Sequence, residues 1–427
     1  MSNYNVFFPY EDKIIGVNTL GKNYVILEKD LFNILNKIKS DDDIQRLKEI
    51  HIDFYDYLIN NKFIVEDNID EVKQCIDYIK SKIHNEKLYE LHINPTMNCN
   101  FNCWYCYETH LKNSRMNDDT QQNILRLVNN ILDSQPKLET FQVNLFGGEP
   151  LLSYDSVIIN LIPQIRKLVE NKNLNFVALL ISNGLMINED MLDFFKDNNF
   201  TGFQITLDGH RERHNQVRYI SKTKGSYDKI IQNIILLAKN GFQVSVRINL
   251  SKETFEDGNK IIDDFINFDN SIKEHLLFDF HFVWQEKEKD FLDKKRKHLE
   301  NLFKEAGFRI SDLEFNIFDK QCYADKVNNA NINYNGDVFK CTARDYDTEN
   351  REGVLNNDGT IEWNEKYHMR MDSLFKNKPC FNCNIFPICG GGCTQNALER
   401  GEDYCIYNFD EKTKLDIVKN HFFGTVV

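Results

Sequence analysis

The spacing of apolar positions divides the chain into stretches with different periods. In the first, Val6-Phe7-Phe8, Lys13 to Val17 and Tyr24 to Leu27 read as short strands, with Gly16 and Gly21 as turn residues. Leu31, Ile34, Leu35 and Ile38 then recur at helical spacing, as do Phe54, Tyr55 and Leu58. Phe63-Ile64-Val65 returns to strand character, and Val72, Ile76, Ile79 and Ile83 mark a further amphipathic helix. A few strands with three helices predict a small winged-helix-like unit over residues 1–85. Cys75 lies on the last apolar face, where a packed core thiol is expected rather than a ligand.

From about Leu88 strands and helices alternate. Strands are expected at Leu88 to Asn94, Thr140 to Phe146, Val177 to Ser182, Gly202 to Leu207, Gln243 to Asn249 and Leu277 to Val283. Helices such as Asp118 to Leu132, Ser153 to Glu170 and Tyr227 to Asn240 fall between them. The repetition predicts an α/β fold with a parallel sheet, open or curled into a barrel. In such folds functional residues gather where strands end. Gly147-Gly148-Glu149-Pro150, Ser182-Asn183-Gly184 and Asp208-Gly209 all follow strands here. The charged stretch Glu286 to Glu300 reads as a solvated helix leading out of the barrel, and 406–427 as a closing helix with a short tail.

Composition narrows the class. The 427 residues allow two to three domains, and 41% apolar with 27% charged residues is ordinary for a soluble globular chain. The 52 Lys and Arg against 65 Asp and Glu leave a net charge of −13, which argues against nucleic acid or an anionic membrane as partner. Met1 to Asn5 lacks the basic start of a signal peptide, and no apolar run approaches the roughly 18 residues that cross a bilayer. A soluble, cytoplasmic protein is expected. Its eleven cysteines are then unlikely disulfides. Three stand at 99–106 and seven at 322–405, and such clustering reads as metal ligation.

Asn98 to Tyr107 reads NCNFNCWYCY, placing Cys99, Cys103 and Cys106 in CxxxCxxC spacing. Three thiolates on one short loop suit three corners of a cubane iron–sulfur cluster whose fourth iron stays open; a three-cysteine zinc loop is the alternative. With Tyr105 before the last cysteine, this loop resembles that of the radical S-adenosylmethionine (SAM) superfamily. Gly147-Gly148-Glu149-Pro150 after the second strand is similar to the family's GGEP motif. Glycines permit close backbone approach to a ligand, and a carboxylate can pair with an ammonium. Thr206-Leu207-Asp208-Gly209 followed by Arg218 resembles the family's fourth-strand segment. The resemblance implies a partial (β/α)6 barrel over 86–308. It assigns ribose contact to Thr206, the methionine carboxylate to Arg218 and an adenine contact to the backbone of Tyr105. Ser182 and Asn249 match further cofactor positions. The implied chemistry is reductive cleavage of SAM and hydrogen abstraction by the resulting 5′-deoxyadenosyl radical, with electrons from a donor such as flavodoxin or ferredoxin.

The second cysteine region has Cys322, thirteen residues, Gly336, four residues and Cys341, then Cys380-x2-Cys383-x5-Cys389-x3-Cys393 and finally Cys405. It resembles the seven-cysteine signature of the SPASM domain, placed at 309–427. A structural zinc site on the Cys380 to Cys393 quartet is chemically reasonable but leaves the other three cysteines unexplained. The resemblance implies two auxiliary 4Fe-4S clusters. Cys380, Cys383, Cys389 and Cys405 would hold the outer one, and Cys322, Cys341 and Cys393 belong to the inner one. Seven cysteines fall one short of two full ligand sets, so the inner cluster has an open iron, a non-cysteine ligand or another nuclearity. Some relatives carry a further cysteine just before the first, but Phe315 to Gln321 contains none.

The whole is most similar to a maturase of ribosomally made peptides that installs a thioether, carbon–carbon or ether crosslink or a related change. The 1–85 unit resembles the element with which such enzymes hold a precursor's leader peptide as an added strand. Two alternatives stand beside this. One is an anaerobic sulfatase-maturating enzyme forming formylglycine. Those enzymes generally start close to the CxxxCxxC motif and carry an aspartate after the cysteine matching Cys341, where this chain has Thr342, with Asp345 the nearest acid. The other is a zinc-stapled binding protein without catalysis.

Overall fold

A computed structural model describes residues 1–38, 40–221, 223–311, 321–401 and 403–426. The chain forms two compact units. The first gathers Met1–Asn85, Asp312–Val327 and His368–Val427; the second comprises Glu86–Ser311 and Asn328–Tyr367.

The first unit opens with an antiparallel meander of β1 (Asn5–Tyr10), β2 (Lys13–Asn18) and β3 (Asn23–Glu28). Four helices follow: α1 (Lys29–Leu35), α2 (Asp41–Ile50), α3 (Ile52–Asn60) and α4 (Glu71–Ile83). The three strands match the alternation in the sequence. Phe63-Ile64-Val65 is not a strand. Lys62 has φ 63°, and the Phe63 and Ile64 amides donate to the Leu58 carbonyl. This turn ends α3 and buries both side chains among Leu27, Leu35 and Leu58, so their apolar character reflects burial without pairing. Helix α2 was not signalled by apolar spacing; a capping box between Ser40 and Asp43 starts it. Val6, Phe8, Ile15 and Val17 form one apolar cluster with Ile385, Ile388, Ile417, Val418 and Phe422, the last three from the closing helix Glu411–Val426. The N-terminal strands and the cysteine-rich C-terminal segment therefore share a core.

The second unit is built on one sheet. Seven parallel strands run β4 (Leu88–Ile93), β5 (Thr140–Leu145), β6 (Asn175–Ser182), β7 (Phe200–Leu207), β10 (Gln243–Leu250), β11 (Leu276–Phe282) and the short β12 (Arg309–Ile310); the hairpin β8 (Tyr219–Ser221) and β9 (Lys224–Gly225) stands apart. On the other side of β4 the sheet continues with β13 (Asn329–Ile332), parallel to it, and the antiparallel β14 (Asp337–Phe339), β15 (Gly353–Leu355) and β16 (Ile361–Trp363). Connecting helices cover one face. Leu91, Val143, Leu180, Ile205, Val246 and Phe278 point into that layer and are fully buried. The helix expected as a solvated face runs from Lys289 to Glu305 and is not one: Leu292, Leu299 and Phe303 are buried, with Phe303 packed on Phe278 and Phe280. Its many charges mask a narrow apolar stripe at helical spacing. The opposite face of the sheet carries polar residues, and the candidate site lies at its C-terminal edge.

Candidate functional site

The loop after β4 carries Cys99, Cys103 and Cys106. Its base is closed by a staple: Thr96 Oγ1 donates to the Ser114 carbonyl at 2.5 Å, and the Met97 amide donates to Ser114 Oγ at 2.8 Å. The glycine loop after β5 nests against it. Gly147 has φ 86°, a conformation that disfavours side chains. A Cβ on Gly148 would lie 2.2 Å from the Asn98 carbonyl oxygen, which also accepts the Glu149 amide at 2.8 Å. The paired glycines therefore let the second loop touch the cysteine loop itself.

These loops and the strand ends frame an open cleft. Cys99, Cys103, Tyr105, Cys106, Gly147, Gly148, Ser182, Thr206, Arg218 and Asn249 all line it. Residues separated by 150 positions in sequence thus meet in one cleft. Glu149 is the exception: it has no exposed surface and stands behind the wall. Its carboxylate accepts from Ser182 Oγ at 2.9 Å, the Asn183 amide at 2.8 Å and the Leu151 amide at 3.1 Å, fixing the end of β6. Burial raises its pKa, opposed by these hydrogen bonds.

Tyr105 joins the cysteine loop to the ends of β7 and β10 and to Arg218, which caps the helix Arg211–Val217. Its hydroxyl donates to Asp208 Oδ1 at 2.5 Å and accepts from Arg218 Nη2 at 2.8 Å and Asn249 Nδ2 at 2.9 Å. Arg218 Nε also donates to Asp208 Oδ2 at 2.5 Å. The Tyr105 carbonyl accepts from Gln285 Nε2 at 3.0 Å. The family resemblance marked Tyr105 for its backbone alone. Behind Asp208, the buried His214 is held neutral: its Nδ1 accepts the Asp208 amide at 3.3 Å and Nε2 stands 3.0 Å from Ser226 Oγ. Burial lowers its pKa to about 3. At the mouth Tyr107 stacks on Trp284 with centroids 5.0 Å apart, and Arg344 lies over the Trp284 ring. Glu108, also lining the cleft, is pushed up to about 7 by burial. Neither Glu108 nor Trp284 carried a sequence signal.

Burial raises the free thiols of Cys99 to about 12 and Cys106 to about 11, and raises Cys103 as well. Soft thiolate donors are the ligands that suit an iron–sulfur cluster, and metal binding would displace the thiol protons. All three cysteines line the one cleft, though among the described residues no three such donors are closed around a single-ion site. In the first unit Cys380, Cys383, Cys389 and Cys405 line a second, small pocket. Asn377 Nδ2 donates to Cys380 Sγ at 3.1 Å. Gly390, Gly391 and Gly392 all have positive φ, which turns the chain sharply after Cys389. Cys393 and the exposed Cys322 lie outside that cavity's lining. Cys75 is fully buried beside Ile79 and Ile83, as its helical position predicts.

Comparison with known proteins decides the class: residues 93–265 match the Radical SAM superfamily profile. The chain carries a radical SAM domain. A cysteine-type anaerobic sulfatase-maturating enzyme of Clostridium novyi is 27% identical over 338 residues, covering 70% of this chain and 86% of that protein. The radical SAM cyclopropyl synthase TigE of Paramaledivibacter caminithermalis is 22% identical over 427 aligned positions, covering 88% of this chain and 84% of TigE. Among solved structures, anSMEcpe with bound AdoMet superposes with TM-score 0.61 at 19% identity, covering 79% of this chain and 94% of that one. Streptococcus suis SuiB bound to its precursor peptide SuiA gives 0.53 at 14%, covering 94% and 97%. The radical SAM α/β fold is the same, and the cysteine-rich C-terminal region is consistent with a SPASM domain. The protein is a radical SAM enzyme related both to peptide modifiers and to sulfatase maturases, which sets aside the non-catalytic zinc reading. Among the described residues no helix is long and apolar enough to cross a membrane.

Proposed function

We propose that this enzyme is a radical SAM maturase of ribosomally made precursor peptides, installing a crosslink or a related modification. The observation that carries the reading is coverage. TigE and SuiB account for 88% and 94% of the chain, against 70% and 79% for the sulfatase maturases. In this reading Cys99, Cys103 and Cys106 hold a site-differentiated 4Fe-4S cluster. Gly147, Gly148, Ser182, Thr206, Arg218, Asn249 and the Tyr105 backbone surround SAM, with Glu149 acting from behind the wall. Bound there, cluster and cofactor supply hydrogen-atom abstraction from an unactivated C–H bond; the barrel orients the substrate and excludes water. Cys380, Cys383, Cys389 and Cys405 hold an outer auxiliary cluster. The inner set of Cys322, Cys341 and Cys393 rests on sequence spacing alone. A flavodoxin- or ferredoxin-like protein supplies electrons.

We assign leader-peptide recognition to the edge strand β3. Tyr57 Oη donates to the Tyr24 carbonyl at 2.7 Å, so the backbone of Tyr24 faces away from β2. Antiparallel alternation then turns Ile26 outward too, and its side chain is 56% exposed. An extended leader could pair there. Deleting 1–85 is a poor test, because the deletion would strip the shared core. Ile26→Pro removes one outward amide and leaves the β2 ladder intact. Co-expression with the small reading frames beside the gene, read by mass spectrometry, should give a peptide lacking two hydrogens, and Ile26→Pro should lower its yield at least about tenfold. Undiminished yield contradicts leader pairing at β3.

The formylglycine reading keeps one favouring observation, the 27% identity to the Clostridium novyi enzyme. Against it, Thr342 follows Cys341, and Asp345 is engaged with the Thr109 amide at 2.8 Å. Conversion of a cysteine in a sulfatase peptide to an aldehyde would decide for it.

A further inference from the structure

The inner face of the parallel sheet holds a cation that the cofactor assignments leave unused. Arg247 on β10 is level with Thr206 on β7 and Asp279 on β11 in the strand register. Arg247 lines the cleft together with Gln204, the residue one side-chain step below Thr206. Among the described residues its hydrogen bonding stops at Nε, which donates to Asn249 Oδ1 at 3.1 Å, and no carboxylate lies within ion-pair distance. Gln204 makes no side-chain hydrogen bond among the described residues. Arg218, the other arginine in the cleft, is already neutralised by Asp208 and hydrogen-bonded to Tyr105. Asp279, the acid beside Arg247 in the register, is instead held by His281 Nε2 at 2.7 Å.

A half-buried guanidinium with both terminal nitrogens open is costly unless a partner arrives. Its planar fork matches a carboxylate in two parallel hydrogen bonds, and a neighbouring amide adds a donor. We propose that Arg247 and Gln204 form a carboxylate seat on the inner barrel wall, which takes an aspartate or glutamate side chain of the substrate peptide. The inference rests on reading this cleft as the site of a peptide-modifying radical enzyme, and it narrows the substrate to one with an acidic residue at or next to the reacting position.

The test uses the full-length, cluster-loaded enzyme and two probe pairs: N-acetyl-aspartate N-methylamide with its asparagine analogue, and the corresponding glutamate and glutamine compounds. Each is titrated by ligand-observed NMR with and without saturating SAM. The acidic member of at least one pair should bind about tenfold or more tighter than its amide in both conditions. Arg247→Gln should bring the pair within about twofold, and Arg247→Lys, which keeps the charge without the fork, should fall between. Gln204→Leu provides a second variant should Arg247→Gln fail to fold, and should at least halve the preference. Equal affinity of acid and amide for the parent, or no binding of either, overturns the seat. A preference that disappears when SAM is added assigns Arg247 to the cofactor's carboxylate and also overturns it. Binding is read independently of turnover. Cofactor cleavage without acid preference therefore refutes the seat alone, and acid preference without cleavage refutes the radical reading alone.

Discussion

Replacing Tyr105 by Phe isolates the contact that ties the cysteine loop to the barrel. The substitution keeps the ring and deletes one oxygen that serves three neighbours: Asp208, Arg218 and Asn249. Arg218 and Asn249 are each 9% exposed, so water replaces the lost acceptor only in part. A buried polar group left unpaired costs about 1–3 kcal/mol, and one of the two stranded donors is charged. Arg218 retains its Nε bond to Asp208, which limits the damage. The sum is about 2–4 kcal/mol, which for a unit of this size lowers Tm by roughly 4–12 °C. Differential scanning calorimetry of the metal-free protein reads this directly. Tyr57→Phe, which removes an exposed hydroxyl bonded to one carbonyl, should cost under about 1 kcal/mol and serves as control. A Tyr105→Phe transition within about 1 °C of the parent would refute the argument that the phenol is the hub.

Glu149→Gln should leave iron at the three-cysteine loop and weaken SAM binding at least about tenfold in equilibrium titrations, because an amide cannot accept from all three donors that fix Ser182 and Asn183. Unchanged affinity would mean that the end of β6 does not shape the cofactor seat. His214 has a folded pKa lowered to about 3, so its contribution to stability is present above its unfolded value near 6.5 and is lost as pH falls toward 3. The second unit should lose roughly 1 kcal/mol per pH unit over that window through this group, and His214→Gln should flatten the dependence of Tm on pH between 6 and 4. An identical slope in the variant contradicts it.

The barrel was legible because strands and helices alternate along the chain, strands such as β6 and β7 alternate buried and half-buried positions, and the motif residues sit at strand ends. The three failures have physical causes. Phe63 and Ile64 are apolar because a helix-ending turn buries them, and burial alone carries no period. Helix α2 depends on a cap more than on an apolar stripe. Leu292, Leu299 and Phe303 form a stripe too narrow to stand out among lysines and glutamates. At the site, residue types and spacing marked the cysteines and glycines. They did not mark the roles that depend on long-range pairing: the phenol of Tyr105 reaching Asp208, Glu149 holding Ser182 and Asn183, and Thr96 locked to Ser114. Nor did they show that residues 1–85 and the cysteine-rich segment share one core, which follows from contacts across the length of the chain.

The central claim is tested most directly by 5′-deoxyadenosine formation. The protein, reconstituted anaerobically with iron and sulfide and reduced with dithionite, should cleave SAM. Replacing Cys99, Cys103 and Cys106 together by Ala should abolish cleavage while iron and acid-labile sulfide remain at the C-terminal cysteines. Undiminished cleavage by the triple variant, or a parent protein that binds zinc without sulfide, would contradict the account.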